Sequence, residues 1–209
     1  QSFDPVTNRS AELLHEQVER FDSMLADLLE ISRHDAQSVD LVAESVDLRS
    51  LVARVVQANS ELAQRLGVEV IVESPHYRCP AEIDDRRIER VIRNLLVNAY
   101  EHAESKPVVV TIAANDSAVA VRVRDHGVGM SPATVERVFY RFFRADPARA
   151  RTTGGTGLGL AISLEDVALH GGTLRAWGEL GAGSSFMMTL PRKVGVAIDA
   201  EPLELWGQE

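Results

Sequence analysis

One cysteine stands in 209 residues, Cys79, so no intramolecular disulfide can form and no thiolate cluster can hold a metal. That usage fits a reducing compartment, and Cys79 itself reads as a small, half-buried packing residue. No apolar run approaches the roughly eighteen residues that a membrane span requires. No basic-then-apolar leader is present either, so this piece is expected neither to cross a membrane nor to carry its own export signal. Polar low-complexity tracts and internal repeats are also missing, which excludes arrays and solenoids. Basic charge is in deficit: 22 Lys and Arg against 31 Asp and Glu leave a net charge of −9. A general nucleic-acid binder needs a basic face for its phosphate contacts, so that class is excluded. What remains is 45% apolar content in a chain long enough for one ordinary domain with an appendage, expected to be soluble and folded.

From residue 10 to 32, Leu14, Val18, Phe21, Leu25 and Leu28 recur at alternating steps of four and three, a heptad seam that Leu13, Met24, Leu29 and Ile31 widen. A seam this continuous calls for a partner helix. A hairpin or dimer bundle is favoured over an amphipathic helix lying on its own domain, because the seam precedes the compact region. Residues 34–46 are polar and small and read as a linker. The expected organisation is one helix over 1–34, a linker over 35–46, a domain over 47–192 and a tail over 193–209 that has no period, ends acidic and is expected to be partly disordered.

Within the domain, Asp47 is placed to cap a helix that runs to residue 66 and stops at Gly67. An apolar β-rich run over 68–72 follows, then punctuation by Pro75 and Pro80. Asp84 or Asp85 starts a second helix whose apolar positions Ile88, Val91, Ile92, Leu95 and Leu96 keep helical spacing. The β-branched runs 108–113 and 118–123, separated by Asn115 and Asp116, carry the signature of a hairpin. Ser131 and Pro132 begin a short helix to residue 138, and a longer helix spans about 157–170, ended by Gly171 and Gly172. Strands over 173–177 and 185–190 close the domain. Such interleaving with antiparallel neighbours predicts an α+β class, an α/β sandwich with one mixed sheet covered by helices on one face.

Four blocks carry chemistry. On the second helix Asn94 and Asn98 share a face with Glu101 or His102 one turn on. Amide oxygens there suit a Mg²⁺ already held by nucleotide phosphates, since that ion keeps waters and takes one or two protein oxygens. Asp125 leaves a strand directly into Gly127 and Gly129, where backbone approaches a flat ligand and a carboxylate can accept from an exocyclic amine. Residues 154–159 open a helix whose unpaired N–H groups and dipole make an anion site. No Lys-Ser or Lys-Thr follows, so this is no P-loop, and the dinucleotide glycine spacing is absent. The helix beyond is apolar at Leu158, Leu160, Ile162, Leu164 and Val167, read as core. Between these blocks Arg141, Arg144, Arg149 and Arg151 form a positive island opposed only by Asp146, placed to meet a γ-phosphate or an acidic partner. Phe139, Phe142 and Phe143 within it can anchor a mobile lid.

RVIRNLLVNAYEH over 90–102, DHGVGM over 125–130, VFYRFFR over 138–144 and GGTGLGLAIS over 154–163 together resemble the asparagine, first glycine, phenylalanine and second glycine boxes of bacterial sensor histidine kinases. The resemblance covers roughly residues 8 to 190. It implies a Bergerat-type ATP-binding sandwich preceded by one long helix of a dimerisation hairpin. It further implies Asn98 as the Mg²⁺ ligand, Asp125 on the adenine amine, Arg144 near the γ-phosphate, and Gly155, Thr156, Gly157, Leu158, Gly159 and Leu160 bracketing the polyphosphate. Glu101, His102, Gly127, Gly129, Phe139 and Phe143 complete the ATP-binding set, with Asn94 and Arg144 as the catalytic pair. Asn94 sits where hydrolysing relatives of the gyrase and Hsp90 type carry a water-activating Glu. An amide cannot serve as that base, which favours transfer to a histidine.

The same resemblance places the phosphoacceptor histidine on a helix that this chain does not contain. His15 with Glu16 lacks the following Pro, and its helix stands where the family has the second hairpin helix. The expected function is therefore nucleotide binding without autophosphorylation by this chain alone. The expected partners are ATP with Mg²⁺, the acceptor helix of a homodimeric parent and a cognate response regulator, in the cytoplasmic portion of a bacterial inner-membrane sensor. The rivals are a degenerate nucleotide-binding module without transfer activity and an ATPase of the gyrase or Hsp90 type.

Overall fold

The computed structural model describes residues 41–145 and 156–205, together with the four positions Leu14, Val18, Phe21 and Leu25. Those four belong to the heptad seam. They are helical and exposed, from 67% at Leu14 to 43% at Leu25. The other seam positions, His15, Asp146, Arg149, Arg151 and Gly155 lie outside the described residues.

Seven strands and five helices follow in the described residues. Strand β1 (Glu44–Asp47) leads into α1 (Leu48–Ala58) and α2 (Ser60–Arg65), then β2 (Val70–Glu73), β3 (Pro80–Ile83) and α3 (Asp85–His102). Hairpin β4 (Val108–Ala114) and β5 (Ala118–Asp125) precedes the short α4 (Pro132–Val135), and α5 (Gly159–Leu169), β6 (Thr173–Glu179) and β7 (Gly183–Pro191) complete the order. The main sheet runs β2-β4-β5-β7-β6, with β2 parallel to β4 and every other pair antiparallel. This is the mixed sheet expected. No helix among the described residues is long and apolar enough to cross a membrane.

Helix α3 is the organiser. Ile88, Val91, Ile92, Leu95, Leu96, Ala99 and Tyr100 are all buried at helical spacing, and the stripe lies on the sheet between α1 and α5. Its start is set by Asp84, whose carboxylate accepts the Arg87 N–H at 3.2 Å. Strand β7 is central, and all nine of its residues are buried.

Several expectations change. Residues 44–46, assigned to the linker, form β1 together with Asp47 and pair antiparallel with β3, which was not foreseen at all. Asp47 occupies the N-cap position of α1 but makes no cap bond. Its carboxylate accepts instead from the Cys79 N–H and the Ser50 hydroxyl, each at 2.7 Å. The single helix expected to residue 66 breaks at Asn59, whose Nδ2 donates to Val55 O at 2.7 Å and caps α1 from behind. Leu164, read as core, is 36% exposed because it falls on the outer side of α5. The short helix expected to residue 138 ends at Val135. Beyond Pro191, where a loose tail was expected, residues 198–205 are hydrogen-bonded to the sheet by side chains, while 206–209 lie outside the described residues.

Candidate functional site

The four sequence blocks lie far apart in the chain, and the fold joins them by direct contacts. Strand β5 ends at Asp125, 1% exposed. One carboxylate oxygen accepts the Gly127 N–H at 2.9 Å and the other accepts the hydroxyl of Ser184, its register partner across the sheet on β7. Each carboxylate oxygen keeps a further lone pair, so the group is oriented but still able to accept from a ligand.

The glycines after Asp125 are there for contact. A Cβ on Gly127 would lie 1.7 Å from His102 O, at the end of α3, and one on Gly129, at φ +70°, would lie 1.8 Å from Glu179 O. No larger residue fits without moving backbone. Gly183 seals the other side, since its Cβ would sit 2.1 Å from Asp125 O. The Val128 N–H donates to His102 O at 3.2 Å, which fastens this loop to α3.

On α3 the half-buried Asn94 and Asn98 point along one face, as the spacing predicts. Asn94 is engaged: its Nδ2 donates to Gly159 O at 3.0 Å and to Ser163 Oγ at 3.1 Å, and Ser163 Oγ donates in turn to Gly159 O at 2.7 Å. This brings the first turn of α5 against α3, so closely that a Cβ on Gly159 would meet the Asn94 amide at 3.3 Å. Asn98, one turn on, makes no side-chain hydrogen bond to a described residue, and its amide remains available to a ligand. Glu101 follows. Burial raises its pKa above the ordinary carboxylate value, and the Arg144 guanidinium opposes that shift.

The phenylalanine-rich block is tied down at three points. Phe139 packs edge-on against Phe186 with ring centroids 6.2 Å apart, and Arg137 lies 4.9 Å over the Phe143 ring. The Phe142 N–H donates to Gly157 O at 2.9 Å, joining two residues that both hold positive φ, +63° and +72°. Arg141, expected to be opposed only by Asp146, is bonded to Glu165 on α5 at 2.8 Å. The two described arginines of the island, Arg141 and Arg144, thus each stand by a carboxylate from a helix, Glu165 and Glu101. A cavity of about 540 Å³ opens in this segment, lined by Arg137, Tyr140, Arg141, Phe142, Phe143 and Arg144.

At the second glycine block Thr156 Oγ1 accepts the Leu158 N–H at 3.2 Å. Leu158 is fully buried with Ile162 in a small cluster of its own, and Leu160 packs on the main core. Both leucines therefore shape the start of α5 through their backbone and packing. The N-terminus of α5 faces Asn94, with its first N–H groups unpaired within the helix.

Below this site α3 and α5 are held by a polar ladder that the sequence did not disclose. Asp166, with no exposed surface, accepts from Arg87 Nη1 at 2.8 Å and from Arg90 Nη2 at 2.8 Å. His170, 4% exposed, accepts the Asp84 N–H at Nε2 at 3.0 Å. A backbone N–H can only donate, so the proton of the neutral ring sits on Nδ1 and is donated to Asp166 O at 2.6 Å. Burial lowers the His170 pKa below its ordinary value, and the Asp166 and Asp84 contacts partly offset that.

Ser184, Ser163 and Glu165 are the residues that sequence reasoning passed over. Only the Gly-rich turn ahead of Ser184 offered a signal. The fold brings the loop after Asp125 against the end of α3 at His102, and Gly159 against Asn94 of the same helix. Among the described residues no group of three or more His, Cys, Asp or Glu can hold a metal ion.

Residues 83–194 match the family model described as histidine kinase-, DNA gyrase B- and HSP90-like ATPase. The chain is 52% identical over 202 residues to the sensor histidine kinase MtrB of Mycolicibacterium paratuberculosis, and 50% identical over 202 residues to that of Mycobacterium tuberculosis. Each alignment takes in 97% of this chain and 36% of the relative, so the chain spans about a third of the length of the curated proteins it matches. Among solved structures, full-length ShkA in complex with AMPPNP superimposes with a TM-score of 0.80 at 27% identity, over 94% of this chain and 41% of that one.

Proposed function

The chain belongs to the family of histidine kinase-, DNA gyrase B- and HSP90-like ATPases, and from that premise we propose that it is the ATP-binding catalytic region of a sensor histidine kinase in a two-component system. It holds ATP so that a histidine on a helix elsewhere in the parent attacks the γ-phosphorus. The observation that carries the reading is the oriented, buried carboxylate of Asp125 at the end of β5, with glycine backbone pressed against α3 beside it. A carboxylate in that setting accepts from the exocyclic amine of adenine and repels the carbonyl edge of guanine.

The rest of the nucleotide follows from what each element offers. The α5 N-terminus and the backbone at 156–160 favour polyphosphate, with Gly155 assigned to the same cradle. Asn98 supplies an uncommitted amide oxygen, a hard donor that fits Mg²⁺ carried in by the phosphates rather than held by a protein cage. When bound, that ion neutralises phosphate charge and orients the γ-phosphoryl group. Arg144 stands beside Glu101 and is assigned to the γ-phosphate, which would take over the carboxylate's place next to the guanidinium. Asn94 is assigned to positioning: its amide locks the first turn of α5 and cannot abstract a proton from water, which favours transfer over hydrolysis. Catalysis then rests on alignment and charge neutralisation. The acceptor helix, the cognate response regulator, a homodimeric parent and a cytoplasmic setting beneath a membrane sensor belong to the same proposal.

Calorimetry tests it. The chain is expected to bind Mg-ATP and to reject GTP. Asp125→Asn is expected to lower ATP affinity by roughly 10- to 100-fold, the loss of one charged hydrogen bond of about 1.5–3 kcal/mol. Mixed with a fragment supplying the missing acceptor helix, it should pass phosphate to that histidine and show little hydrolysis alone. Rapid hydrolysis without an acceptor would select the gyrase-like reading, and tight binding with no transfer the degenerate module.

A further inference from the structure

Helices cover one face of the main sheet, yet the centre of the opposite face is equally dry. Val119, Val121 and Val123 of β5 and Phe186, Met188 and Leu190 of β7 join the helix-side core. Alternation turns Ala118, Ala120, Ser185, Met187 and Thr189 to the back, and all five are buried. Their cover is the segment after Arg192. It leaves through the exposed connector 193–197, where Gly195 holds φ +75° with no atom within 4 Å of its Cβ position, and then crosses the strands over 198–205.

The way it is held is distinctive. Asn115 Nδ2 donates to Ala200 O at 2.7 Å, Arg122 Nη1 to Glu204 O at 3.0 Å and Ser185 Oγ to Leu205 O at 2.8 Å. The Asp199 N–H donates to Ser117 Oγ at 3.2 Å. Only one side chain of the segment is hydrogen-bonded to the sheet: Glu201 pairs with Arg175 and accepts from Thr173 Oγ1 at 3.3 Å. Among the described residues no backbone–backbone bond joins 198–205 to the sheet. Ile198, Leu203 and Leu205 are half-buried, Asp199 and Glu204 are exposed, and Glu201 is the acidic residue that meets an arginine of the sheet, Arg175.

We propose that the back of the sheet is a docking surface for an extended acidic–aliphatic segment, and that residues 198–205 are its resident occupant, displaceable by a segment of the same chemistry from a partner protein. Side-chain donors that read main-chain carbonyls are indifferent to sequence, and a single carboxylate clasped by arginine adds the charge preference. These are the marks of peptide recognition. The occupant is displaceable because its ion pair is partly solvated, with Arg175 47% and Glu201 30% exposed, where such a pair contributes about 1 kcal/mol or less.

The test uses the full chain and a fluorescent peptide of residues 196–205. Glu201→Lys with Leu203→Ser should loosen the resident segment, so the peptide is expected to bind this variant at least about tenfold more tightly than the unaltered chain. Adding Arg175→Glu should abolish that gain, and the Asp199 amide, which donates to Ser117 Oγ, should exchange more slowly in the unaltered chain than in the variant. Equal affinity for both chains, no binding to either, insensitivity to Arg175→Glu, or equal binding of a peptide whose acidic residues are replaced by lysine overturns the proposal. Because nucleotide is not involved, these outcomes are independent of the kinase reading.

Discussion

The two ends of the proposed nucleotide site are built on different principles. At the Asp125 end, backbone touches backbone: Gly127, Gly129 and Gly183 leave no room for a methyl group, and the carboxylate is held from two sides. At the lid end, side chains reach across solvent: Arg141 to Glu165, Arg137 over Phe143, and one main-chain bond from Phe142 to Gly157. The first arrangement fixes shape, while the second can be remade when a charged ligand arrives. The proposed function, recognition of one base followed by release of a changed phosphate, would draw on both.

The contrast is broken most severely at Gly127. Gly127→Ala forces His102 O away, and a loss on the order of 3–5 kcal/mol is expected, together with nucleotide binding, in urea melts and calorimetry. A merely weakened affinity with unchanged stability would mean that the close contact gives way easily.

A middle-sized effect belongs to the ladder beneath the site. The His170 pKa is lowered in the folded chain from its ordinary 6.5, so the unfolded chain takes up the proton first. Its stabilising contribution is fully present above pH 6.5 and is lost as pH falls from there toward the lower folded value, at no more than about 1.4 kcal/mol per pH unit. Urea midpoints from pH 8 to 5 should show this slope, and His170→Gln should flatten it. Asp84, Asp166 and Arg87 are the acidic and basic groups that face the ring.

The smallest effect is expected at the lid. Arg141→Ala removes a partly exposed ion pair and should change stability by less than about 1 kcal/mol. Nucleotide affinity should change more than the melting temperature does. A large drop in melting temperature would place the lid with the rigid half.

Legibility in the sequence followed the same division. Helix α3 could be read because its apolar positions 88, 91, 92, 95 and 96 repeat over more than two turns, and the β4–β5 hairpin because two β-branched runs flank Asn115 and Asp116. Asp125 and the glycines were legible because their chemistry is local. Strands β1 and β3, four residues each, carry no period long enough to see. Ser184 was missed because only the sheet register sets it opposite Asp125. Glu165, and Asp166 between Arg87 and Arg90, were missed for the same reason: a helix surface does not announce which charge will meet it. The tail lacked a period because it crosses strands instead of joining them.

Strand β7 carries a liability. Residues 183–191 hold no charge, carry the apolar run Phe186, Met187 and Met188, and are wholly enclosed, so any opening of the sheet bares a sticky ribbon bounded only by Gly183 and Pro191. Heating at high protein concentration should therefore end in precipitate, and the damage should deepen with concentration because the ribbon seeks its own kind.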